Sequence, residues 1–200
     1  MRKMKAFLSI IFALAVASGC SMAEAKDISG NNNQESITLQ TSNCNDKETA
    51  LAMAAEDAEK VFGVDKDSLQ GEAVYNQDSS IQPNGWFVQM QADNWDYVVW
   101  LYEDTDRVKI ARASKEHPIV SISNEEMKQI VQSEKLLDSA KDIVMNKLGD
   151  SRAIKDAYFD NSNETAEEYN YVDITLVLED GNSYTLSFYK DGMLKSLLYS

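Results

Sequence analysis

Apolar positions recur along this chain with three different periods. At the start, Arg2, Lys3 and Lys5 precede an apolar run over 6–17 broken only by Ser9, and Ala17-Ser18-Gly19 leads to Cys20. A bilayer-crossing helix needs roughly 20 apolar residues, so this run has the length of a signal-peptide core. A basic segment, an apolar core and a small-residue end together predict a signal peptide over 1–20. From 21 to 46 the chain is rich in Asn, Ser, Gln and Asp and holds no period, which predicts a flexible tether.

After the tether the pattern becomes helical. Leu51, Ala54, Ala55, Ala58, Val61 and Phe62 recur at steps of three and four, with Asp46 or Thr49 as the cap and Gly63 as the stop. The period then changes to two, predicting strands over 71–77, 85–92, 97–103 and 107–113, an antiparallel meander with turns at Asp93-Asn94-Trp95-Asp96 and Asp104-Thr105-Asp106. The order comes again further on. Leu136, Leu137, Ala140, Ile143, Val144 and Leu148 form a helical stripe ended by Gly149, followed by strands over 152–160, 171–178, 183–189 and 193–199.

Repetition of element order predicts an α+β protein of two tandem units, each a helix packed on its own antiparallel β-meander. The first unit covers 47–113 and the second 134–200. Between them, 114–133 forms a linker with a short helix capped at Ser123 or Asn124, with Glu125 and Glu126 in its first turn. In the first unit Trp86, Met90, Tyr97, Val99 and Leu101 alternate with Phe87, Val98, Trp100 and Tyr102, so both sheet faces are apolar. One face packs on the helix. The other is expected to be covered by the second unit, with a dimer partner or a ligand as the alternatives.

Composition adds a globular core and a strong charge. A hydrophobic content of 44% excludes a disordered tail. The formal net charge is −14, and removal of the signal leaves 16 basic against 33 acidic residues, a balance of −17. Nucleic acid is excluded as a partner by this repulsion, whereas basic proteins, peptides or cations are attracted. Small residues followed at once by Cys20 resemble the bacterial lipobox, with Ala17 where Leu is usual. The resemblance implies a diacylglycerol on Cys20 and a membrane contact through that lipid anchor. Cys44, in a polar stretch, then has no second thiol to pair with.

The segment Leu186-Ser187-Phe188-Tyr189-Lys190-Asp191-Gly192-Met193-Leu194-Lys195 resembles the PepSY and PepSY-like group of exported bacterial domains. Val99 to Val108 has a similar form but lacks the turn glycine. Tandem helix-and-sheet units of this size also resemble the fold of secreted β-lactamase inhibitor proteins. These resemblances imply a non-catalytic cell-envelope lipoprotein facing outside the cytoplasm that binds a protein or peptide, in some cases a peptidase. The alternatives are an envelope scaffold or solute- or glycan-recognition lipoprotein, and an extracytoplasmic hydrolase without a familiar motif.

The parts for catalysis are few. His117 is the one histidine, and Pro118 behind it restricts the backbone. It reads as a solvated linker residue ahead of a general base, and no G-x-S-x-G pattern is present, so no catalytic residue is assigned. Asp93, Asp96, Asp104 and Asp106 read as turn residues because the calcium-loop pattern with its internal Gly and terminal Glu is absent, so no metal or cofactor is assigned. The binding candidates are aromatic: Trp86, Trp95, Trp100 and Tyr102. Indole and phenol rings bury large areas at low entropy cost.

Overall fold

The computed structural model describes residues 46–77, 84–103, 108–160 and 168–200. The signal peptide, most of the tether, Cys20, Cys44 and the turn at 104–106 lie outside the described residues. Helix α1 (Lys47–Phe62) starts where Asp46 accepts the Thr49 N–H at 2.8 Å and stops at Gly63, whose φ of 71° is left-handed. Its buried side is built from small residues, Ala50, Ala54 and Ala58, all fully buried, and this lets the helix sit low on the sheet. Asp57 is also fully buried there.

Strands β1 (Gln70–Asn76), β2 (Gly85–Ala92), β3 (Trp95–Tyr102) and β4 (Val108–Ala113) form an antiparallel meander. The chain crosses a two-residue strand β5 (Ile122–Ser123) into α2 (Asn124–Ser133). There Ser123 and Glu126 complete a reciprocal capping box. Helix α3 (Lys135–Asp142) follows and widens into a π-helical turn over Ile143–Lys147. Strands β6 (Ile154–Phe159), β7 (Glu168–Tyr169), β8 (Val172–Leu178), β9 (Ser183–Phe188) and β10 (Leu194–Tyr199) complete the chain.

The expectation of two tandem units, each a helix on its own meander, is overturned. The strands make one eight-stranded antiparallel sheet in the order β1-β2-β3-β4-β10-β9-β8-β6, accompanied by three short helices, with β5 and β7 paired apart. The joint is the pairing of β4 with β10, where Val108 faces Tyr199 and Ile110 faces Leu197. An edge strand leaves a row of backbone N–H and C=O groups open, and pairing β4 with β10 satisfies two such rows at once. A single core results: Val88, Val99 and Ile110 from one half and Leu197, Leu186 and Ile174 from the other belong to one buried cluster with α1 and α3.

This arrangement also overturns the expected cover. The second half extends the sheet sideways and leaves the face opposite the helices open. Among the described residues no helix or strand is laid over that face.

Candidate binding face

Register places one residue from each of the eight strands of the large sheet in a single row across the open face: Val74, Phe87, Trp100, Lys109, Leu198, Thr185, Thr175 and Tyr158. Eight strands at about 4.8 Å spacing make this row about 34 Å wide. Its two ends are exposed apolar side chains, Val74 at 56% and Tyr158 at 44% of full accessibility.

The middle of the row is aromatic and cationic. Phe87 and Trp100 meet edge to face at 5.2 Å between centroids, and Lys109 Nζ stands 5.1 Å from the Trp100 ring. Beside them Lys195 Nζ lies 4.3 Å from the Tyr171 ring. Burial pushes the Lys195 ammonium down from its ordinary value, the charge of Lys109 adds to this, and Asp173 opposes it. Burial likewise raises the Tyr171 phenol, with Asp173 acting in the same direction. A protein of net charge −14 therefore keeps two lysines close together in the centre of this face. Farther along, Thr175 is buried and joins Asp160 and the Thr185 hydroxyl, the latter at 2.9 Å, which stiffens the β8–β9 side of the row.

The four aromatic candidates divide between the two faces. Trp100 and Tyr102 lie on the open face. Trp86 and Trp95 lie on the helix face, where Trp86 packs edge to face with Tyr75 at 5.3 Å and Trp95 lies 4.7 Å from the Arg112 guanidinium. Val99, Leu101 and Tyr97 share that helix face with them and are buried. Phe87, Lys109, Tyr171 and Lys195 join Trp100 instead. Strand parity was sufficient to group Phe87 with Trp100, but Lys195 sits at a β-bulge between Leu194 and Ser196, where parity breaks down.

His117 is half-buried. Its ring meets Tyr189 edge-on at 4.6 Å and Trp95 at 5.7 Å, and its Nε2 is 3.4 Å from Asp191. The shallow pocket it lines, with Pro118, Val120, Tyr189, Lys190 and Asp191, contains no serine, threonine or cysteine. Among the described residues no three His, Cys, Asp or Glu side chains gather in a group able to hold a metal ion.

No protein-family description, curated protein or solved structure matches this chain.

Proposed function

We propose that the chain is an exported, lipid-anchored protein that binds a protein or peptide partner outside the cytoplasm through the open face of its sheet. One observation carries this reading: a sheet face on which Val74, Phe87 and Trp100 stand side by side, with Lys109 and then Leu198 beyond them, and over which no helix or strand among the described residues is laid. An apolar cluster such as Val74, Phe87 and Trp100 rimmed by polar residues marks interaction sites, and aromatic residues beside a cation are the usual anchors of such interfaces. The Lys109–Lys195 pair sets positive charge beside that apolar contact, where an acidic group of the partner would pair with it. The export signal ending at Cys20 and the likeness of 186–195 to PepSY-like domains support the envelope location and a binding role without catalysis.

The test combines address and contact. Metabolic labelling with a palmitate analogue is expected to mark the full chain and to miss Cys20→Ser. A partner identified by crosslinking is expected to lose about 30-fold in affinity on Trp100→Ala, the loss typical of a hot spot, with folding preserved. Unchanged affinity removes the open face from the account. Inhibition is separated from scaffolding by adding the protein to envelope peptidases: an unchanged rate for every peptidase rejects inhibition and leaves binding standing.

A further inference from the structure

On the helix face, where β4 meets β10, the sheet and helices border an open cleft of about 530 Å³, within the usual range for small-ligand sites. Arg112 lies at its floor beside Phe188 and Leu194, Phe62 closes the α1 side, and Asp138 and Asp142 stand on the α3 side.

Arg112 is held from three directions. Its guanidinium carbon is 4.7 Å from the Phe62 ring and 4.7 Å from the Trp95 ring, its Nε donates to the Leu194 carbonyl at 2.9 Å, and its own carbonyl accepts the Tyr189 hydroxyl at 3.1 Å. Ion pairs among the described residues join Lys66 to Glu59, His117 to Asp191, Arg152 to Asp150 and Asp180, and Lys190 to Glu126, and none of them uses Arg112. A half-buried guanidinium set against two rings, hydrogen-bonded to Tyr97 and the Leu194 carbonyl, with Asp191 nearby but in no ion pair with it among the described residues, is positioned to accept a carboxylate from a ligand. Burial lowers the Arg112 guanidinium from its ordinary value, against the opposing effect of Tyr97, Tyr189 and Asp191; the group stays charged, and a bound anion would offset part of its desolvation.

The cleft wall supplies an independent sign. The chain after α3 widens into a π turn, with Leu148 N–H bonding the Ile143 carbonyl at 2.9 Å and Asp150 N–H bonding that of Val144 at 3.1 Å. Such turns are rare and frequently occur at functional sites, and this one contributes Ile143 and Lys147 to the cleft. The charges of the lining balance, Arg112 and Lys147 against Asp138 and Asp142. A simple anion would be repelled by the two aspartates, whereas a ligand carrying both signs satisfies both walls.

We infer that this cleft binds a short zwitterionic peptide, its C-terminal carboxylate on Arg112 and a basic group on Asp138 and Asp142. The site is separate from the open face and does not depend on it. Calorimetric titration of the full chain with the dipeptide Ala-Lys is expected to show saturable binding at millimolar concentration or below. Ala-Lys amide, lacking the carboxylate, is expected to bind at least about tenfold more weakly, since one charge-assisted contact is lost. Arg112→Gln should remove the difference between the two dipeptides, and Asp142→Asn should weaken Ala-Lys while sparing Ala-Ala. Free lysine is expected to bind more weakly than Ala-Lys, and tighter binding overturns the assignment to a peptide. Equal binding of acid and amide by the wild-type chain, or no binding of any of these ligands, overturns the proposal even if Arg112→Gln fails to fold.

Discussion

Replacing Arg152 with Ala tests how the seam end of the second half is held. Asp150 is 5% exposed, and Tyr184, fully buried, donates its hydroxyl to the same carboxylate at 2.8 Å. The Arg152 side chain grips Asp150 twice, Nε at 2.9 Å and Nη2 at 2.5 Å, while Nη1 reaches Asp180 at 2.7 Å and the Tyr199 hydroxyl at 3.0 Å. Removing one partner of a buried pair costs about 3–5 kcal/mol. Two facts reduce that figure: the Arg152 side chain is 31% exposed, and Asp150 retains the Tyr184 hydroxyl and the Arg152 backbone N–H at 3.0 Å. Arg152→Ala is therefore expected to cost about 2–3 kcal/mol, or about 5–10 °C in melting temperature for a domain of this size.

The pH dependence supplies the sharper check. Burial raises the Asp150 carboxyl, but the hydrogen bonds from Arg152 and Tyr184 outweigh it and leave the group below the ordinary carboxylate value. A depressed folded value contributes stability that is present above the unfolded carboxylate range and is lost as pH falls through the folded value. Urea denaturation followed by circular dichroism should show the full Arg152→Ala deficit at pH 7 and a shrinking one below about pH 4, as Asp150 protonates. A deficit under about 0.5 kcal/mol at neutral pH, or one unchanged into acid, refutes the reasoning.

The capping box of α2 provides a second pH test. Hydrogen bonding from Lys190, with Ser123 next, holds the Glu126 carboxyl down to about 2, so its stabilisation is present above the ordinary glutamate value and fades toward pH 2. Glu126→Gln keeps the amide form of the box but loses the Lys190 ion pair, 2.7 Å long, so wild type and variant should differ near neutrality and converge at pH 2 in acid titrations. At the β1 edge, a Cβ on Gly71 would meet the Gln89 carbonyl oxygen at 2.0 Å. Gly71→Ala is expected to push β1 off β2 and cost about 2 kcal/mol in urea denaturation, and a neutral outcome contradicts that close approach.

Much of this fold was legible from periodicity. The strands over 85–92, 171–178 and 183–189 fall within a residue or so of their expected places, because alternation of apolar and polar side chains is a local property. Parity separated Phe87, Val98, Trp100 and Tyr102 from Trp86, Met90, Tyr97, Val99 and Leu101, and the structure keeps that division. Pairing between halves was not legible. The bond rows of β4 and β10 run through backbone atoms of residues such as Val108 and Tyr199, far apart in the chain, and no side-chain pattern announces which edge will close on which. Without that pairing, the exposed face of one meander seemed to require the other as cover.

The binding face was half legible for a related reason. Parity already put Trp86 opposite Trp100 and Tyr102, and the structure places Trp86 and Trp95 with the helices, so only two of the four aromatic candidates reach the open face. Arg112 gave no signal beyond an apolar-face position occupied by a cation. Its significance depends on Phe62, Trp95 and the late strand β10, which only the folded chain brings together.

Site-specific photocrosslinking in living cells tests the open-face claim most directly. A photoreactive residue in place of Gln89, exposed on the open face, should give one dominant protein adduct. The same residue in place of Met145, exposed on the π turn, should not. The Gln89 adduct should disappear on Trp100→Ala in a chain that still folds. An adduct from position 145 with none from position 89, or one from position 89 that survives loss of Trp100, would contradict the account.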